Sequence, residues 1–230
     1  MRYLIKFTKE GDIKFISHLD LMRTIQRVIR RADLPAEYSK GFNPHMNMSL
    51  AQPLSVGNYS VGDYMDLVLT EEMEESKIVD ILNQNTVSGV KFKSAKAIVV
   101  PEGRKIPQAM ALIDAALYTI TFRLQENSAD INSLMDIPEW KMMKKTKSGE
   151  KETDIKPLVK NIEAATKGDR LVISALISCG SRENLSASLL SDFIKNNLQG
   201  IDKNAFVDIR REEMYALREG KLVSLENFFS

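Results

Sequence analysis

Cysteine occurs once in this chain of 230 residues, at Cys179, and histidine twice, at His18 and His45. A lone cysteine excludes an internal disulfide. By itself it cannot hold an iron–sulfur cluster or a structural zinc, each of which needs about four protein ligands. A reducing, cytoplasmic setting is the expectation. Net charge is also scarce, +1 at pH 7, so no global field draws the chain to nucleic acid or a membrane and any such attraction must come from local clustering. Long apolar runs are missing too. No stretch approaches the ~20 apolar residues of a membrane span, and the N-terminal MRYLIKFTKEG alternates like a strand where a signal peptide would carry an apolar core. Nucleotide-binding motifs, catalytic Ser-His-Asp spacing and metal-cluster spacing are absent, so no cofactor and no metal are expected.

Local charge clustering, by contrast, is present. Up to residue 50, Arg2, Lys6, Lys9, Lys14, Arg23, Arg27, Arg30, Arg31 and Lys40 stand against Glu10, Asp12, Asp20, Asp33 and Glu37, whereas Asp63 to Asp80 holds seven acids and only Lys77. The length suits two small domains, each with its own core.

In chain order, Arg2 to Thr8 alternates as a strand with Tyr3, Ile5 and Phe7 on one face, and Ile13 to Ile16 is a short apolar run suited to a hairpin partner. Ser17 occupies an N-cap position with Asp20 at N3, so a helix starts here. On a helical wheel Leu21, Met22, Ile25, Val28, Ile29 and Ala32 share one side, while Arg23, Arg27 and Arg30 lie opposite with Asp20 and Arg31 at their margin. The helix ends before Pro35. Ala36 to Lys40 suits a short strand, Gly41-Phe42-Asn43-Pro44-His45 a tight turn, and Met46 to Val56 an extended return. Val61 to Thr70 predicts a strand, Glu71 to Asn85 a helix and Val90 to Val100 a strand. That order, strand, helix, strands, helix, strand, predicts an α+β ferredoxin-like (split βαβ) unit with an antiparallel sheet over residues 1–100. A connector covers 101–114, and a second α+β unit of the same kind covers 115–230. Within it, Ala115 to Leu124 predicts a strand, Ser128 to Met135 a short helix, Glu139 to Lys156 a lysine-rich hairpin turning at Lys147-Ser148-Gly149-Glu150, and Pro157 to Ala165 a short helix. Arg170 to Ser178 predicts a strand, Asn184 to Leu198 a helix, and Ala205 to Leu217 a strand that turns at Glu219-Gly220.

The stretches Ser17-His18-Leu19-Asp20-Leu21-Met22-Arg23, Tyr38-Ser39-Lys40-Gly41-Phe42-Asn43-Pro44-His45, Ser49 with Pro53-Leu54-Ser55-Val56-Gly57, and Tyr64-Met65-Asp66 resemble the radical-SAM-linked family. These are small bacterial proteins found fused to or encoded beside a radical S-adenosylmethionine enzyme. A weaker match runs through Thr146-Lys147, Asp154-Ile155-Lys156-Pro157, Gly180-Ser181 and Asn184-Leu185. The family pattern follows the loop histidine with proline and a basic residue, where this chain has Met46 and Asn47, and it has a late proline where this chain has Ala187. The resemblance implies association with a radical enzyme and, through the usual gene neighbourhood, a role near RNA or the ribosome.

The arginine line Arg23, Arg27, Arg30 and Arg31, with Lys40, can grip successive phosphates, and each guanidinium can stack on a base. The bland alternative is a solvated helix face. His18 and His45 are candidates for general acid–base chemistry with Tyr38, or, with Asp20, for metal ligation, although the wheel turns His18 towards the apolar side. In the loop, either Phe42 anchors the turn to the core, or Phe42 or His45 stacks a base while Asn43 reads its edge. Asp20, Asp63 and Asp66 form a carboxylate set, with Asp20 either a helix cap or a nucleophile like that of a pseudouridine synthase. Lys141, Lys144, Lys145 and Lys147 suit a guarded edge strand. Gly180-Ser181 before a helix is read as a structural turn, with an anion cradle of backbone amides as the alternative. The leading reading is an accessory protein that binds RNA, or another ribosome-related substrate, for a partner radical enzyme. An RNA-directed enzyme (metal-independent nuclease or modification enzyme) and a protein-binding module are the alternatives.

Overall fold

Strand β1 (Arg2–Lys9) carries the alternation of its sequence into the core, with Tyr3 and Ile5 at 0 % and Phe7 at 1 % exposure. The structure is a computed structural model and describes residues 1–99, 103, 106–125, 129–146 and 149–229. Pro101, Glu102, Arg104 and Lys105 of the connector, Ser128, and Lys147 and Ser148 of the hairpin turn lie outside the described residues. The chain is a mixed α+β protein with a large, mostly antiparallel sheet and few helices. It divides into two units, Met1–Asp114 with Glu213–Ser230, and Ala115–Glu212. The C-terminal segment, placed in the second half on sequence, therefore groups with the first. None of the helices among the described residues is long and apolar enough to cross a membrane.

In the first unit a 3-10 turn, Gly11–Phe15, stands where the short apolar run suggested a strand. Glu10 N–H donates to the Gly89 carbonyl at 2.8 Å, and Ile16 N–H then turns back to Ile13 at 3.2 Å, so the run has no ladder to join. Helix α1 (His18–Arg31) begins as its sequence predicts, the Ser17 hydroxyl accepting from Asp20 N–H at 3.2 Å. Such a cap contributes about 1 kcal/mol. Its buried face is Leu21, Ile25, Val28 and Ile29, and each such side chain removed from water contributes roughly 1.5–3 kcal/mol. Strands β2 (Met48–Leu50) and β3 (Tyr59–Val68), helix α2 (Glu75–Gln84) and strand β4 (Phe92–Ile98) follow. β1 pairs antiparallel with both β3 and β4, and β2 with β3, so these four strands lie in the order β4-β1-β3-β2. Residues of α1 and α2 join Tyr3, Ile5, Phe7, Met65 and Leu67 in one core, which puts both helices on the same sheet face. Ala36 to Lys40 forms no strand and makes only the isolated bridges Ala36↔Leu69 and Tyr38↔Met46. The short α3 (Ala109–Leu112) leads to the unit boundary. The unit also receives the end of β10 (Asp208–Arg218), β11 (Lys221–Ser224) and α6 (Leu225–Phe228).

The second unit contains most of β5 (Ile113–Arg123), α4 (Asn132–Met135), the separate hairpin β6 (Lys141–Thr146) and β7 (Gly149–Asp154), β8 (Val159–Lys167), β9 (Arg170–Ser178), α5 (Ala187–Asn197) and the start of β10. Its sheet order is β10-β5-β9-β8. Pro157 does lie in a helical turn, but a 3-10 turn, Lys156–Leu158, in which it is the second residue. The expected helix beyond it is β8. Nor does α5 start at Asn184: Ser186 caps it by accepting from Leu189 N–H at 3.1 Å.

Candidate functional site

Helix α1 organises the first unit's surface as it organises its core. With the buried stripe fixed against the sheet, helical geometry puts Arg23, Arg27 and Arg30 on the opposite side, and all three are exposed. Along the axis they span about 10 Å at ~1.5 Å per residue. Arg23 is partly engaged, its terminal nitrogen 3.1 Å from Asp20 Oδ1. Arg27 and Arg30 make no hydrogen bond or ion pair among the described residues. Arg31 is committed elsewhere, donating through Nε to the Asn85 carbonyl at 3.0 Å and through a terminal nitrogen to the same oxygen. The arginine set is therefore three residues in line, with a fourth serving as a tie to the end of α2.

The second half of the site is a finger between α1 and β2. The Tyr38↔Met46 bridge closes its base, Ser39 N–H donates to the His45 carbonyl at 2.8 Å, and His45 N–H donates back to Ser39 Oγ at 2.9 Å. Below that, Asn47 N–H donates to Glu37 and Glu37 N–H to Val68, both at 2.8 Å. Gly41 adopts φ +129°, a conformation open chiefly to glycine. Lys40, Phe42, Asn43, Pro44 and His45 are all exposed, and Met46 is buried. Phe42 has a relative exposure of 112 %, so the reading in which it anchors the turn to the core is wrong.

The histidines do not form a pair. α1 starts beyond the C-terminal end of β1, so His18 and Asp20 lie there. The finger's base lies by Val68 and Leu69, and Leu69 N–H bonds the Met1 carbonyl at the opposite end of β1. A helix of 14 residues, about 20 Å, runs between the two ends. His18 is half-buried at the first turn, as the wheel suggested. Asp20 accepts from the Ser17 hydroxyl at 2.7 Å and pairs with Arg23, contacts that hold its carboxyl below the usual range. That is the behaviour of a cap.

The carboxylate set also disperses. Facing residues of an antiparallel pair share a side, so Asp63, opposite Phe7, faces the helices, whereas Asp66, opposite Leu4, faces away. Asp66 accepts from Ala109 N–H at 2.7 Å and lies 3.6 Å from Arg2, yet burial pushes its carboxyl up. No group of three or more potential metal ligands occurs among the described residues. In the lysine hairpin Lys141 faces Asp154 while Lys144 faces Lys151, and Lys144 donates to the Asn184 carbonyl at 2.6 Å. Gly180-Ser181 precedes α5 by several residues and supplies none of its free amides.

One cluster escaped the sequence reading. On the sheet face away from the helices, Lys6 Nζ lies 2.6 Å from Glu213 and 3.4 Å from Glu226, Tyr64 donates to Glu213 at 2.6 Å, and Ser94 to Glu226 at 2.6 Å. Burial pulls the Lys6 ammonium down, but the two carboxylates outweigh it and hold it above the ordinary lysine range. Burial and Glu213 push the Tyr64 hydroxyl up. Every member is already engaged, so the cluster ties the C-terminal segment to β1 and β3. In the second unit an open cleft is lined by Arg123, Asp169, Arg170, Phe206 and Asp208. No residue selected on sequence lies there.

A family model described as "Uncharacterized protein conserved in bacteria (DUF2344)" matches residues 2–187. No curated protein matches the chain. Among solved structures, the crystal structure of an unknown protein from Galdieria sulphuraria is similar at 10 % identity, over 91 % of this chain and 97 % of that one, with a TM-score of 0.25.

Proposed function

The chain belongs to this family of uncharacterised bacterial proteins, and from that premise we propose that it is a cytoplasmic, RNA-binding accessory protein of a radical S-adenosylmethionine enzyme. One observation carries the RNA part of the reading: Arg23, Arg27 and Arg30 stand exposed in line on α1, and the short link from Ala32 to Ala36 joins that helix to a finger presenting Lys40, Phe42, Asn43 and His45. Guanidinium groups at this spacing suit successive phosphates, while an aromatic ring and an amide suit the bases beside them. The radical partner rests on the resemblance of the SHLD and GFNPH stretches alone. We also read each unit as ferredoxin-like, because the orders β4-β1-β3-β2 and β10-β5-β9-β8 follow the same plan, the fourth strand of each set beside the first and the second outermost.

The placement of His18 and His45 at opposite ends of α1 favours a binding protein over an enzyme that uses them together. Purified protein incubated with total cellular RNA, alone and with the radical enzyme, tests this. RNA should be retained at low salt with its length distribution unchanged, and His45→Ala should weaken retention by about 1–3 kcal/mol without a separable rate defect. Metal-independent cleavage that is lost in His45→Ala would overturn the accessory reading in favour of the enzyme.

A further inference from the structure

We infer that the finger Tyr38–Met46 is a stacking device for one unpaired nucleobase, so that the ligand of this surface is single-stranded or looped RNA and not continuous duplex. The inference rests on the RNA reading of α1. It begins from Phe42, whose 112 % exposure means that no part of the protein covers the ring. Phe15, also exposed, is different: the Lys14 ammonium lies 5.2 Å over its ring. No such cation is found over Phe42 among the described residues. Water around a bare aromatic ring is a standing cost that a flat apolar partner removes.

The base of the finger is held in place, which confines the ring to a short tip. The Tyr38↔Met46 bridge, the reciprocal Ser39 and His45 bonds and the buried Met46 fix both arms, leaving only Lys40 to Pro44 at the tip. With the base fixed in advance, only this short tip has conformational freedom to lose on binding. Its neighbours define the partner's chemistry. Lys40 supplies a positive charge suited to a phosphate. Asn43 offers a donor and an acceptor suited to a base edge. Arg23, Arg27 and Arg30 add positive charge along the exposed face of α1, beyond the acids Asp33 and Glu37 that stand between helix and finger. A partner with a flat π-face, hydrogen-bonding edges and repeating negative charge is a nucleic-acid strand. Within a duplex both faces of each base are covered by its neighbours, so only an unpaired base can meet Phe42.

The test uses the full chain, a labelled oligouridine strand and an RNA duplex of equal length, with binding read by fluorescence anisotropy. Wild type should prefer the single strand, and Phe42→Ala should lose about tenfold on it while leaving duplex binding unchanged. Phe42→Trp adds a direct signal. The native Trp140 is 1 % exposed, so quenching by the single strand, and not by the duplex, reports the new ring at the tip. If Phe42→Ala binds both RNAs as wild type does and Phe42→Trp is not quenched, the stacking inference is wrong while the arginine reading stands. If wild type binds neither RNA, the RNA reading itself falls and the inference with it, and the exposed ring is left for an apolar pocket on a protein.

Discussion

Removing Arg27 and Arg30 together, as Arg27→Gln/Arg30→Gln, separates recognition from stability because neither side chain makes a hydrogen bond or ion pair among the described residues. Both lie on the exposed face of α1, so the substitutions should shift unfolding free energy by no more than about 0.5 kcal/mol. In the proposed complex with RNA each guanidinium would neutralise one phosphate. A charge-assisted contact at an exposed site contributes on the order of 1 kcal/mol, so two losses correspond to about 30-fold weaker binding at low salt. The salt dependence is the sharper reading. On a single strand each phosphate contact contributes about 0.7 to the slope of log K against log salt, so the double variant should lose about 1.4 from that slope. Anisotropy titrations from roughly 50 to 200 mM salt measure both quantities, and urea unfolding confirms the fold. Arg23→Gln serves as the comparison. It also breaks the exposed pair with Asp20 and should cost the helix about 0.2–0.5 kcal/mol. An unchanged slope with intact stability would refute phosphate contact by α1.

Two further predictions concern the cluster that ties the C-terminal segment to the first unit. Lys6→Met leaves Glu213 and Glu226 facing one another without their ammonium. The loss should be about 2 kcal/mol in urea unfolding, between the small contribution of exposed pairs and that of fully buried ones. The stability difference between wild type and Lys6→Met should also depend on pH at both extremes. Burial tends to raise the Glu226 carboxyl, but Ser94 and Lys6 outweigh it and hold it below its ordinary value of 4.5. Its contribution is therefore present above that value and fades as pH falls through the depressed one. Lys6 titrates above its ordinary 10.5, so its contribution is present below 10.5 and fades as pH rises through the raised value. The difference should be flat between 4.5 and 10.5 and shrink on either side. A difference that grows towards acid would contradict the assignment.

What the sequence made legible were the local signals whose partners lie within a few residues. Ser17 and Asp20 start α1 where expected, the apolar stripe faces the core, and the exposed arginines follow from the same wheel. Pro157 shows where a local signal stops. It lies in a helical turn, second after Lys156, but β8 begins at Val159 because pairing with β9 takes over. A register shift between Val159 and Asn161 spoils the twofold alternation that would have marked a strand. The Lys6 cluster was invisible for another reason, since Glu213 and Glu226 follow it by 207 and 220 positions. For Phe42, glycine and proline predict the turn, but they do not decide which way the ring between them points.

Ultraviolet cross-linking of the purified chain to RNA, followed by mass mapping of the modified peptides, tests the central claim most directly. Adducts should fall within 18–31 and 38–46, with Phe42 among the modified residues, and should decline in Arg27→Gln/Arg30→Gln. Cross-links confined to the cleft of Arg123, Arg170 and Phe206, or an absence of adducts on both α1 and the finger, would contradict it.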